Sequence, residues 1–129
     1  MNNLDQKSVS NVAALLVHAA KIDEQYSDHE KNLIKEFIKS YLKEDDSNEI
    51  LKKAEEIEKN SNQLLNFTNV IKKNTIEVKS DIIEHLWKII ISDKSIDQYE
   101  SNLMRRICGL IYFPDKMCAE IKLKLINSK

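Results

Sequence analysis

The chain has 129 residues, 42% apolar and 32% charged. That apolar share can build a core, which argues against global disorder. One glycine and one proline are too few for a turn-rich sheet protein and too few for a glycine-rich phosphate loop. The net charge of −1 is unevenly spread: residues 1–100 hold 14 basic and 19 acidic residues, a net of −5, and residues 101–129 hold six basic and two acidic, a net of +4. This asymmetry can orient a partner but lacks the concentrated basic face of a nucleic-acid binder.

Seven helices are expected. Residues 1–7 carry no pattern and are expected to be flexible, and a first helix starts near Ser8 or Ser10 and runs through VAALLVHAA to about Ile22. Ser27 with Glu30 three residues on reads as a capping box, opening a helix to about Leu42 with Leu33, Ile34, Phe37, Ile38 and Tyr41 at helical spacing. Asp46 with Glu49 repeats the signal before a solvated helix to about Lys59, whose thin apolar line is Ile50, Leu51, Ala54 and Ile57. A fourth helix carries Leu64, Leu65, Phe67, Val70 and Ile71. The fifth begins near Thr75, and its broad apolar face of Ile82, Ile83, Leu86, Trp87, Ile90 and Ile91 predicts the central helix of the core. Asp97 with Glu100 makes a third capping box before a helix carrying Leu103, Met104, Ile107, Leu110 and Ile111. Pro114 fits the first turn of a last helix ending near Ile126. The pattern predicts an all-α, single-domain bundle over residues 1–129.

The chain repeats itself without a gap at an offset of seventy positions. Leu16 meets Leu86, Asp23 meets Asp93, Ser27 meets Asp97, Glu30 meets Glu100, Leu33 meets Leu103 and Phe37 meets Ile107. Each copy reads as apolar helix, acidic turn, apolar helix, which predicts two pseudo-symmetric helical hairpins.

The acidic turns admit two readings. In the first, Ser27 and Asp97 are N-caps worth roughly 1 kcal/mol each, Glu30 and Glu100 reach back to the cap N–H, and Asp23 and Asp93 close Asx turns. In the second, Asp23, Glu30, Asp93, Asp97 and Glu100 ligate a divalent cation such as calcium. An acid at a helix C-terminus opposes the helix dipole by about 0.3–1 kcal/mol, and both copies accept that penalty. Asp93, Ser95, Asp97 and Glu100 offer oxygens at alternating positions, as hard-cation loops do. The loop is not an EF-hand: it is too short and lacks the sixth-position glycine and the twelfth-position acid.

Other chemistry is poorly represented. His18, His29 and His85 are scattered, and His18, inside an apolar run, reads as a core or boundary histidine. No nucleophile elbow, P-loop or dinucleotide fingerprint occurs, and no catalytic residue is assigned. Trp87 sits at helical spacing as a core residue. Cys108 and Cys118, ten apart with no CxxC, read as buried reduced thiols. Arg105 and Arg106 follow the second acidic turn and pair with a carboxylate or meet an anion or partner. The start, MNNLDQKSVSNV, lacks a basic segment followed by an apolar run, and no stretch nears ~18 apolar residues, so a cytoplasmic protein is expected.

The repeated pattern D-x-x-[IY]-[SD]-x-x-E between apolar helices, with the segments LLNFTNVIKK and HLWKIIISDKSIDQYESNLMRRICGLIYF, resembles the TerB-like (tellurite-resistance protein B) family from about Val12 to Leu125. The resemblance implies a seven-helix fold, a cytosolic bacterial protein linked to tellurite and other stress responses, and no established catalysis. It also implies divalent-cation binding by acidic residues, which fall here at Asp23, Glu30, Asp93 and Glu100. One departure stands out: the family's glycine after each turn aspartate is replaced by Glu24 and Lys94. Together these features lead to a non-catalytic interaction or sensing module with a protein partner, or else a divalent-cation binder.

Overall fold

The computed structural model describes residues 5–21, 26–42, 47–61, 65–91 and 98–127, with the backbone alone at residues 65 and 98–100. It contains α1 (Gln6–Ala20), α2 (Asp28–Tyr41), α3 (Ser47–Lys59), α4 (Leu65–Lys72), α5 (Ile76–Ile91), α6 (Gln98–Leu110) and α7 (Asp115–Asn127), and no strand among the described residues. The all-α bundle of seven helices is therefore as the apolar periodicity predicts.

The helix ends follow local chemistry. Asp5 caps α1, its Oδ1 accepting from the Ser8 N–H at 2.7 Å. This places the start at Gln6, earlier than Ser8 or Ser10. Ser27 caps α2 with the full reciprocal box. Thr75 Oγ1 accepts from the Val78 N–H at 3.3 Å at the start of α5. The Pro114 carbonyl accepts from the Cys118 N–H at 3.1 Å, so proline stands one residue before α7, where its missing N–H leaves no bond unmade. Asp46 and Asp97, the other two expected caps, lie outside the described residues.

One hydrophobic cluster draws residues from all seven helices. Its centre is α1 rather than α5 alone. Val12 through Val17 are buried without interruption, and α1 packs against α2, α3, α4 and α5. Ala13, Ala14, Ala19 and Ala20 let those neighbours approach from several sides, so α1 buries almost its whole circumference. The face of α5 that carries Ile82, Ile83, Leu86 and Ile90 is buried as expected, and α5 meets α1, α2, α4 and α7. The α6 residues Leu103, Met104, Ile107 and Cys108 face α4 and α7. At the α2–α5 seam, Tyr41 donates to Asp81 Oδ2 at 2.8 Å and Phe37 stacks edge-on to His85 at 5.2 Å.

The link from α6 to α7 is a Schellman motif. The Phe113 N–H bonds the Cys108 carbonyl at 2.8 Å and the Tyr112 N–H approaches the Gly109 carbonyl at 3.4 Å. Tyr112 takes the left-handed position with φ 60°, which favours glycine, while Phe113 turns back into the core at 3% exposure.

Candidate functional site

The described part of the first acidic turn is built from α1, α2 and α3. Glu30 is 1% exposed. Its Oε1 accepts from the Ser27 N–H at 2.8 Å and from the Ser27 hydroxyl at 3.2 Å, while the Glu30 N–H donates to Ser27 Oγ at 3.2 Å. The capping role read from the sequence is thus present at Ser27 and Glu30. The turn is tied to α3 by two further carboxylates. Glu55 Oε2 accepts from the Tyr26 hydroxyl at 2.6 Å. Glu58 accepts from Lys21 Nζ at 2.8 Å and meets His18 Nδ1 at 3.3 Å, which makes His18 a boundary residue against that carboxylate. Lys21 is the C-cap of α1, where the helix dipole favours positive charge. Burial, the bond to Glu55 and the charges of Glu55, Glu30 and Glu58 hold the Tyr26 phenol well above its ordinary range. Lys31 lies 5.0 Å from the Tyr26 ring centroid.

Of the five residues proposed as cation ligands, Glu30 alone has a described side chain. Asp23, Asp93 and Asp97 lie outside the described residues, and Glu100 is described in backbone only, in the first turn of α6. Among the described residues, no group of three or more His, Cys, Asp or Glu side chains is arranged to hold a metal ion.

A second region lies at the opposite end of the sequence's logic. A cleft of about 610 Å³ opens between α5, α6 and α7. Trp87 from α5, Ser101, Met104 and Arg105 from α6, and Asp115, Cys118, Ala119 and Lys122 from α7 line it. Trp87 belongs to the core at 4% exposure, as its spacing predicts, yet it also forms a wall of this cleft. Its Nε1–H donates to Cys118 Sγ at 3.3 Å, and Lys122 Nζ stands 5.2 Å from its ring centroid. Arg105 is exposed, and neither it nor Lys122 forms an ion pair among the described residues. Among the described residues, the cleft lining holds two cations, Arg105 and Lys122, the latter over the indole, and one carboxylate, Asp115.

Both cysteines are buried free thiols, as expected, but they are not independent. The neighbouring Cys118, then burial, raises the Cys108 pKa. Cys108, the Trp87 N–H and the Lys122 charge lower that of Cys118 against the opposing effects of burial and Asp115. Sequence reasoning missed this constellation because Trp87 and Cys118 are 31 residues apart and meet only through helix packing. The sole local signal was two cysteines bracketing a proline-marked helix junction.

No helix among the described residues is long and apolar enough to cross a membrane. The family model described as tellurite resistance protein TerB matches residues 10–123. No curated protein matches the chain, and no solved structure does.

Proposed function

This chain belongs to the tellurite resistance protein TerB family, its match spanning nearly the whole sequence, and on that premise we propose that it is a non-catalytic interaction or sensing module of a cytosolic bacterial stress response of the tellurite type. The observation that carries the reading is the cleft between α5, α6 and α7, where Arg105 and Lys122 flank Trp87 without ion-pair partners among the described residues. The +4 balance of residues 101–129 supports the same direction. An acidic segment of a protein partner is the complementary occupant. The sequence's lack of catalytic fingerprints supports the non-catalytic part.

The test uses the single tryptophan. A Glu/Asp-rich peptide should shift Trp87 emission saturably, with affinity that falls as salt rises. Arg105→Glu with Lys122→Glu should abolish the shift. Binding indifferent to charge reversal, or a turnover lost on substitution in this cleft, would overturn the proposal.

A second reading keeps the divalent cation, calcium in the first instance, at Asp23, Glu30, Asp93, Asp97 and Glu100. It is supported by the sequence repeat, which sets Asp23 and Glu30 at the same spacing as Asp93 and Glu100. Saturable amide shifts at residues 23–30 and 93–100 on adding Ca²⁺, lost in Asp93→Asn, would establish it. Flat shifts would leave these acids as helix caps.

A further inference from the structure

We propose that the cleft and the outer face of α7 form one docking groove for an amphipathic acidic helix of a protein partner. Apolar side chains of that helix lie on Ala119, Leu123 and Ile126, and its carboxylates meet Arg105, Lys122 and Lys116. The inference rests on the acidic-segment reading of the cleft and deepens it by giving that segment a helical form and an apolar edge.

The first support is a second apolar stripe on α7. Met117, Cys118, Ile121 and Leu125 pack one side of the helix on the core. Leu123 and Ile126 are nonetheless 57% and 40% exposed, and with the exposed Ala119 they fall at i, i+4 and i+7 on the outer side. A surface helix ordinarily carries polar residues there. Ile76 and Tyr112, the other large apolar residues exposed among those described, lie outside α7. The stripe runs into the cleft, because Ala119 is also part of the cleft wall. From Ala119 to Ile126 it rises about 10 Å, the reach of about two turns of a partner helix.

The second support is charge. By helical register Lys122 falls on one side of the stripe and Lys116 on the other. Neither they nor Arg105 form an ion pair among the described residues. Residues 101–129 hold six basic residues against two acidic, Asp115 and Glu120. An apolar line flanked by cations is complementary to an apolar line flanked by carboxylates, which is the layout of an acidic amphipathic helix read by i, i+4 and i+7 anchors. Shape selects this occupant over a membrane. The stripe borders a concave cleft of about 610 Å³, which a convex helix can enter and a flat bilayer cannot follow. A second copy joined through the same face would set one +4 segment against another.

The experiment titrates the full chain, followed by Trp87 emission, with two tryptophan-free peptides of about 18 residues and identical Leu, Ala, Gln and Glu content. One sets leucines at i, i+4 and i+7 between flanking glutamates; the other shuffles the same residues so that no helix face is apolar. The patterned peptide should bind about tenfold more tightly and gain helical circular dichroism on binding. This comparison is read on the wild-type chain and needs no variant to fold. Leu123→Ser with Ile126→Ser, at exposed positions, should bring the patterned peptide to the affinity of the shuffled one. Equal affinities for the two peptides, both lost in Arg105→Glu with Lys122→Glu, would overturn the helical groove and leave the acidic-segment reading standing. Binding of neither peptide would overturn both. An equal emission shift with phosphatidylglycerol vesicles would give the face to a membrane and overturn the proposal. So would a two-copy mass by light scattering that halves in Leu123→Ser with Ile126→Ser.

Discussion

Glu30 offers the sharpest test of the first acidic turn, because capping and cation ligation make different demands on its carboxylate. The side chain is 1% exposed, and its Oε1 accepts from the Ser27 N–H and hydroxyl at 2.8 and 3.2 Å. Glu30→Ala removes both acceptor contacts and leaves the Ser27 N–H without its partner, a loss of about 1–2 kcal/mol. Near 60 °C a chain of this length loses about 3–4 °C in Tm per kcal/mol, so the expected drop is about 4–7 °C. Glu30→Gln keeps an amide oxygen that can accept the same bonds and should recover most of that loss. The assay is thermal unfolding by circular dichroism for the three proteins, each with and without added Ca²⁺. A wild-type Tm unmoved by Ca²⁺ accompanies the capping role. If Glu30→Ala melts with the wild type, the energetic argument for the cap is refuted. If Ca²⁺ stabilises the wild type and not Glu30→Gln, the carboxylate is a cation ligand as well as a cap.

Three further outcomes follow from the packing. Tyr26 and Tyr41 are both held above the ordinary phenol value of 10.0, chiefly by burial and then by their bonds to Glu55 and Asp81. The folded state therefore keeps protons that the unfolded chain releases, so their contribution is complete below about pH 10 and is lost as pH rises beyond it. Urea unfolding between pH 8 and 11 should show this fall, and Tyr26→Phe with Tyr41→Phe should flatten it. Tyr112 at φ 60° predicts that Tyr112→Gly is about 1 kcal/mol more stable than Tyr112→Ala, since both lose the ring and its 5.6 Å approach to Lys72 but only glycine relieves the left-handed strain. Equal urea midpoints for the two would refute the strain. Leu16→Ala, at a fully buried position in α1, should destabilise by about 2–5 kcal/mol, read from urea unfolding.

What was legible in the sequence was what depends on neighbours in the chain. Ser27 and Glu30 are three residues apart, and the box they form needs nothing beyond the first turn of α2. The apolar line Ile50, Leu51 and Ala54 likewise marks the buried side of α3. Asp5 escaped because it caps a helix whose first turn, Gln6 to Ser8, has no apolar residue to announce it. The centrality of α1 escaped because alanine contributes little to an apolar count yet permits close approach. Breadth of apolar face pointed to α5, whereas smallness of side chain is what lets four helices pack on α1.

The cleft was illegible for a different reason: its geometry depends on the angle between α6 and α7, and that angle is set by the Schellman turn. Carrying Tyr112 through the left-handed region lets Phe113 fold back beneath Cys108's turn and allows Pro114 to open α7 at once. From there Cys118 lies one turn into α7 and Lys122 one turn further, on the same face. The two residues thereby reach the same indole, Cys118 at its N–H and Lys122 over its ring. A strained tyrosine thus sits at the junction beside this cleft, and relaxing it with Tyr112→Gly should shift Trp87 emission as well as the melting temperature. A Tyr112→Gly variant whose melting temperature moves while its Trp87 emission matches the wild type would show that the turn stabilises the junction without shaping the cleft.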